Sequence, residues 1–194
     1  AVEEQHGADA VVHRLVAIAQ GDGARQVLSE GCDFYAAPTL SADAQRLAWI
    51  EWDRPYQPWV ATRLCQRESG ERIRVLSGEA EDRSLQQPRF DMQGRLWALS
   101  DRAGWWQPEC IDADMKWDAA PCDHAPAPWQ LGGRTYLPLE NDEFLLTRFE
   151  QGVGILVEGR GAAQVVRTSD LSGKPIGAHS APYAERRLAE GFTR

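Results

Sequence analysis

Residues 100–109 read SDRAGWWQPE, with Trp105 and Trp106 side by side directly after Gly104. Adjacent side chains on a strand point to opposite faces, so a sheet with one solvated face would leave one of these indoles in water. The pair therefore asks for a strand buried on both faces. Helical periodicity is nearly absent from the chain, and the one helix-like stretch is the terminal PYAERRLAEG. RLVAIA, RLAWIEW, GRLWALS and GILVEG read as strands bounded by turn chemistry, and ARQVLS, RIRVLS and AQVVRT as short strands after glycine-containing turns.

An internal repeat points to an architecture that meets this demand. APTLSADAQRLAWIEW (37–52) aligns with QPRFDMQGRLWALS (87–100): a proline, an apolar residue two positions later, a short polar turn, then Arg-Leu and alternating apolar residues. A weaker third copy is APWQLGGRTYLPL (127–139), and APYAERRL (181–188) opens a fourth. The prolines at 38, 88, 128 and 182 set a period of about 40 to 55 residues, the range of propellers and solenoids. The sequence is thus read as all-β, one domain over 1–194, a partial β-propeller of about three to four blades of four antiparallel strands. Blades are expected at approximately 34–77, 86–118 and 127–168, with incomplete blades at both ends, the first supplying two strands between Val11 and Leu28. Because propeller blades pack face to face, Trp105 and Trp106 are expected in two different inter-blade interfaces, with Trp49 and Trp97 also structural. Burying an indole removes about 150–250 Å² from water, on the order of 4–6 kcal/mol as an upper bound, so loss of Trp105 or Trp106 is expected to unfold the chain.

Charge and composition exclude several classes. A formal charge of -8, a pI near 5.0 and scattered arginines argue against a phosphate-tracking surface, so no nucleic-acid partner is expected. No apolar run reaches the roughly 18 residues of a membrane span, and the N-terminus is acidic rather than signal-like, so a soluble, cytoplasmic protein without a membrane partner is expected. Cys32, Cys65, Cys110 and Cys122 form no C-x-x-C and read as reduced, mostly buried thiols; Cys110, Cys122 and His124 as metal ligands match no standard zinc spacing. Asp112, Asp114 and Asp118 lack the glycine and terminal glutamate of a calcium loop and read as a solvated turn, as does ENDE (140–143). No metal or cofactor is expected. His6, His13, His124 and His179 read as loop or surface residues, and Glu3 and Glu4 lack the context of an amino-group clamp.

CDFYAAPTLSADAQRLAWIEWDRPYQPW (32–59) together with QPRFDMQGRLWALSDRAGWW (87–106) resembles the N-terminal β-propeller of the prolyl oligopeptidase family of serine peptidases, in its acylaminoacyl-peptidase-like and dipeptidyl-peptidase-like branch. The resemblance rests on Asp33, Phe34, Tyr35, Pro38, Arg46, Leu47, Trp49, Trp52, Asp53, Pro55 and Trp59, then on Pro88, Gly94, Arg95, Leu96, Asp101 and Gly104 to Trp106. Two departures stand out: Ser41-Ala42-Asp43-Ala44 lacks the glycine usual in that turn, and Arg54 stands where histidine is common. The resemblance implies a propeller that restricts access of peptides to an α/β-hydrolase domain. That domain should carry G-x-S-x-G at a strand-to-helix elbow, and no serine of this chain has those flanking glycines. The chain by itself is thus expected to be catalytically inert.

WDRPYQPW (52–59) is the candidate recognition loop, with Trp52, Arg54, Tyr56 and Trp59 as substrate-binding residues and Arg54 as the polar contact; the alternative is that the aromatics only cover a blade edge. The expected partners are a C-terminal hydrolase domain of the same parent chain, short peptides, and a second copy, because open blade faces favour self-association. The competing functions are a stand-alone TolB-like propeller that binds a protein or peptide, and a carbohydrate-binding module with exposed tryptophans.

Overall fold

The computed structural model describes residues 1–8, 10–80, 82–115, 121–150, 153–160 and 164–170. A first sheet of three strands runs β1 (Val2–His6), β2 (Val11–Ile18), β3 (Arg25–Glu30). A second, of four, runs β4 (Phe34–Leu40), β5 (Arg46–Trp52), β6 (Arg63–Glu68), β7 (Arg74–Ser77). The third has three strands, β8 (Leu85–Phe90), β9 (Leu96–Ser100) and β10 (Gln107–Cys110), and the fourth has four, β11 (Tyr136–Pro138), β12 (Glu143–Glu150), β13 (Val153–Arg160) and β14 (Gln164–Asp170). Within each sheet every strand pairs antiparallel with its chain neighbour, and the molecule is all-β, a partial β-propeller. Among the described residues no helix is long and apolar enough to cross a membrane. The helix-like PYAERRLAEG and the start of a fourth repeat at Pro182 lie outside the described residues.

Burial on both faces falls on the middle strands. Every residue of β9 is buried. Leu96 and Ala98 join Ala48, Ile50, Trp52, Leu64 and Leu85 in the core between the second and third sheets. Trp97 and Leu99, the alternate residues, join Trp106, Tyr136, Phe144 and Leu146 in the core between the third and fourth. β5 divides in the same way: Ala48, Ile50 and Trp52 face the third sheet, while Trp49 packs with Leu15, Tyr35 and Cys65 toward the first. The two most deeply buried indoles each have a partner: Trp49 Nε1 donates to Glu51 Oε2 at 2.8 Å and Trp97 Nε1 to Asp91 Oδ2 at 2.8 Å.

The arginine of the Arg-Leu repeat is an inter-blade latch. Arg46 donates to the Gly94 carbonyl in the hairpin turn of the next sheet and to Asp112 Oδ2 at 3.1 Å. Arg95 repeats this one sheet later, donating to Asp91 Oδ2 at 2.7 Å and reaching Asp142 in the following turn. Gly94 and Asp142 hold equivalent positions, each with positive φ (78° and 60°).

Three expectations are corrected. Trp105 and Trp106 do not lie on a strand: Gly104 N donates to Asp101 O at 2.8 Å, φ at Gly104 is 82°, and β10 begins only at Gln107. Strand alternation therefore does not apply, and Trp105 is 41% exposed while Trp106 is 8%. The first sheet gains a third strand, because Val2–His6 pairs with β2 from Val2↔Leu15 to His6↔Val11; its acidic stretch hid the signal, and Glu3 is taken up by Arg25 and Arg14. The third repeat copy is displaced by one strand. Leu139 N donates to Glu143 O at 2.7 Å, matching Ser41 N to Arg46 O at 2.9 Å and Asp91 N to Arg95 O at 3.0 Å, so ENDE is the hairpin turn. Residues 132–135, read as turn and second strand, instead lead into the first strand, β11. Glu143-Phe144 replaces Arg-Leu there, which concealed the register.

Two stability measurements follow. Trp97→Ala should cost about 3–5 kcal/mol in urea unfolding, whereas Trp105→Ala should cost under about 1 kcal/mol; equal losses would contradict the burial pattern. Ala44 occupies the turn position of Gly94 with φ 56°. Ala44→Gly should stabilise by about 0.5–1 kcal/mol, the relief of left-handed strain outweighing glycine's extra entropy cost, and a lower urea midpoint would contradict it.

Candidate functional site

The recognition loop links β5 to β6 and is tied at both ends. Asp53 Oδ1 accepts from Asp33 N at 2.9 Å, and Asp33 Oδ2 accepts from Arg54 N at 2.8 Å, so the two carboxylates cross-link the segments at 33 and 53–54. Arg63 Nη2 donates to Asp53 Oδ2 at 2.6 Å and to Cys32 Sγ at 3.2 Å. Its Nε lies 3.5 Å from the buried Glu51 carboxylate, which also holds the Trp49 indole. Burial alone would raise the Asp53 pKa, but the Arg63 hydrogen bond, the Asp33 N–H and the Arg63 charge outweigh it and hold the group below its ordinary range. Burial, followed by the Glu51 charge, pushes the Cys32 thiol up to about 11, and burial raises Cys65 and Cys110 as well, so none of these thiols is poised as a nucleophile. The far end of the loop reaches the next sheet: Ser84 Oγ donates to Pro58 O, Thr62 Oγ1 donates to Leu85 O at 2.9 Å, and Leu85 N donates back to Thr62 Oγ1 at 2.7 Å.

This anchoring separates the expected binding residues. Trp52 is buried and stacks on Phe34 with ring centroids 5.2 Å apart. Arg54 is exposed but folds back, its guanidinium 5.7 Å from the Phe34 ring centroid and its Nε 3.8 Å from Asp33 Oδ2. Tyr56 is half-buried. Trp59 points the other way, resting on the core of Trp97, Tyr136 and Phe144, and its ring lies 4.0 Å from that of Trp129, tilted by 34°. Trp129 is 72% exposed and Leu131 66%. Between the two loops runs a cleft of about 40 Å³ lined by Ile50, Trp52, Pro58, Pro128, Leu131 and Gly133, with the Gln86 and Gln87 side of β8 as its wall. That volume admits a few water molecules or one small side chain.

β8 holds the opposite loop through its glutamines. Gln87, at φ 54°, accepts from Thr135 N at 2.8 Å through Oε1 and donates to Thr135 Oγ1 at 3.0 Å through Nε2. The Tyr136 hydroxyl donates to Gln87 O at 2.9 Å, and Gln86 Nε2 donates to Pro126 O at 3.1 Å. Trp129, Gln86 and Gln87 were not singled out from the sequence. The available signal was the proline spacing of APAPW (125–129), which favours an extended loop ending in an aromatic.

Two of the remaining candidates have structural partners. Asp112 accepts from Leu96 N at 2.8 Å and from Arg46, and Asp118 lies outside the described residues. His124 lies in a loop yet is buried rather than at the surface, its Nδ1 2.9 Å from Thr147 O; burial lowers its pKa. His179 lies outside the described residues. Among the described residues no group of three or more His, Cys, Asp or Glu side chains is placed to hold a metal ion.

Comparison with solved structures gives this geometry a context. The chain is similar to puromycin hydrolase, with a TM-score of 0.66 at 25% identity over 76% of this chain and 24% of that one. It is also similar to a puromycin-hydrolyzing peptidase of Mycobacterium tuberculosis, with a TM-score of 0.63 at 27% identity over 77% of this chain and 24% of that one. These likenesses support the prolyl oligopeptidase family. A prolyl endopeptidase shares the fold at 14% identity, with a TM-score of 0.56 over 89% of this chain and 26% of its own. The chain thus spans about a quarter of the length of the solved proteins it matches. No family profile and no curated protein matches it.

The Asp53 network makes a pH-dependent contribution. Its folded pKa is depressed, so the stabilisation is present above the unfolded carboxylate value near 4 and is lost as pH falls through the lower folded value. Asp53→Asn should lower stability by about 1 kcal/mol at pH 7, and its urea midpoint should converge with that of the wild type below about pH 3. A constant difference from pH 7 to pH 2 would contradict the assignment.

Proposed function

We propose that this chain is the non-catalytic β-propeller portion of a prolyl oligopeptidase family serine peptidase, where it gates access of short peptides to an α/β-hydrolase domain of the same parent protein. The observation that carries this reading is the likeness to puromycin-hydrolysing peptidases at 25% and 27% identity, which covers most of this chain and about a quarter of theirs. The two long sequence motifs support it independently: 32–59 spans β4 and β5, and 87–106 spans most of β8 and all of β9. In this role the inter-blade cores and arginine latches make a stiff wall, and the exposed Trp129, packed on Trp59, supplies an apolar surface for a passing peptide. Aminoacyl amides of the puromycin type are the first substrates to offer the parent protein.

The test is to immunoprecipitate the native protein from its source cells with an antibody against this chain and to label it with a fluorophosphonate probe. A labelled band several times heavier than 21.6 kDa is expected. An unlabelled protein of any mass would overturn the reading in favour of a stand-alone binding propeller.

A further inference from the structure

His124 sits where the third and fourth sheets are sewn together. The Asp123 carboxylate accepts from Trp106 N at 2.9 Å and the Trp106 carbonyl accepts from His124 N at 2.8 Å, which fastens the 121–135 segment to the β9–β10 loop. On the other side Phe149 N donates to Asp123 O at 2.9 Å, so the same segment also holds β12. The His124 ring completes the seam: its Nδ1 lies 2.9 Å from Thr147 O, and only 3% of the residue is exposed.

That contact assigns the ring's proton. A carbonyl oxygen only accepts, so Nδ1 carries the hydrogen and donates to Thr147. The other nitrogen, Nε2, is buried with no hydrogen-bond partner. In the neutral ring Nε2 merely lacks a donor, whereas a second proton there would bury an N–H and a full charge with nothing to receive them. The charged neighbours divide. Arg148 on β12 opposes a cation at the ring and Asp123 on its own segment favours one, with Asp123 Oδ1 already taken by Trp106 N. The β9–β10 loop presents Trp106, which does not titrate. Burial, aided by the Arg148 charge, outweighs Asp123 and the Thr147 carbonyl and pulls the His124 pKa below its ordinary value of 6.5.

We propose that His124 is an acid-sensitive pin of this seam: protonation drives the ring from its enclosure and releases the 121–135 segment from β12 and the β9–β10 loop. The effect reaches the candidate site, because this segment carries Trp129, which packs on Trp59, and Pro128, Leu131 and Gly133, which line the cleft. The glutamine fastenings further along, Gln86 on Pro126 and Gln87 on Thr135, do not titrate. Acid therefore loosens one wall of the cleft while the sheets stay folded.

The test is hydrogen exchange followed by mass spectrometry on the full natural gene product at pH 7.5 and pH 5, corrected for the intrinsic pH dependence of exchange. Peptides covering 121–127 and 143–149 are expected to lose protection at least tenfold at pH 5, since opening returns the ring to an ordinary pKa and each pH unit below that value favours the open form by up to about tenfold. A peptide covering β5 should keep its protection. His124→Asn sets a non-titrating amide nitrogen at the place of Nδ1, so it can still donate to Thr147 O, and in this variant the acid-induced loss should vanish. The wild-type comparison decides on its own if the variant does not fold. Unchanged protection of 121–127 at pH 5, or an equal loss in β5, would overturn the pin, as would a loss that persists in folded His124→Asn protein.

Discussion

Burial of the middle strands on both faces is the constraint that organises this molecule. A strand such as β9 can be apolar on both sides only if a sheet covers each face, and the alternate residues of Leu96–Ser100 enter two different cores. That arrangement puts polar atoms of large side chains deep in the stack, where each needs a partner. Asp91 meets several such needs at once: it accepts from Gln93 N at 2.9 Å, Arg95 N at 2.8 Å, Arg95 Nε at 2.7 Å and the Trp97 indole at 2.8 Å. Burial works against the Asp91 charge, but these hydrogen bonds outweigh it and keep the pKa below the ordinary range. One carboxylate thereby fixes the hairpin turn, the latch arginine and the central tryptophan. The preceding sheet divides the same work, with Asp43 holding the turn through Ser41 Oγ and Gln45 N and Glu51 holding the Trp49 indole.

The candidate site is a consequence of how the sheets join. Because Thr62 and Ser84 fasten the β5–β6 loop to the next sheet, that loop cannot present all its aromatics to solvent. Trp52 is drawn into the core, and Trp59 is left at the joint, where Trp129 meets it. Gln86 and Gln87 hold the second wall from β8. The site thus spans two adjacent sheets, and the groups that shape it are mostly the ones that fix the blades.

Much of the fold was legible in the repeat. Two well-preserved copies, each with proline, turn and Arg-Leu, identify the all-β blade architecture, and the roles of Trp49 and Trp97 follow from their place on alternating apolar runs. The third copy misled because Glu143-Phe144 replaces Arg-Leu while GGRTYL imitates it, so hydrophobic pattern alone set the register one strand early. Trp105 misled for a different reason: two adjacent indoles imply a doubly buried strand only if a strand is there, and the turn closed by Gly104 extends up to them. The site was legible only as a loop. Which of its aromatics reach the surface depends on contacts with residues far away in sequence, and Gln86 and Gln87 carry no local mark that separates them from other polar strand residues.

The most direct test of the central account, that these sheets are consecutive blades of a peptidase propeller, is an experimental structure of the natural gene product. The account predicts that the sheets from Phe34 to Asp170 recur as adjacent blades of one ring, with Arg46 and Arg95 bridging them and an α/β-hydrolase domain facing the ring. A ring of such blades with no hydrolase domain, or sheets that do not stack face to face, would contradict it.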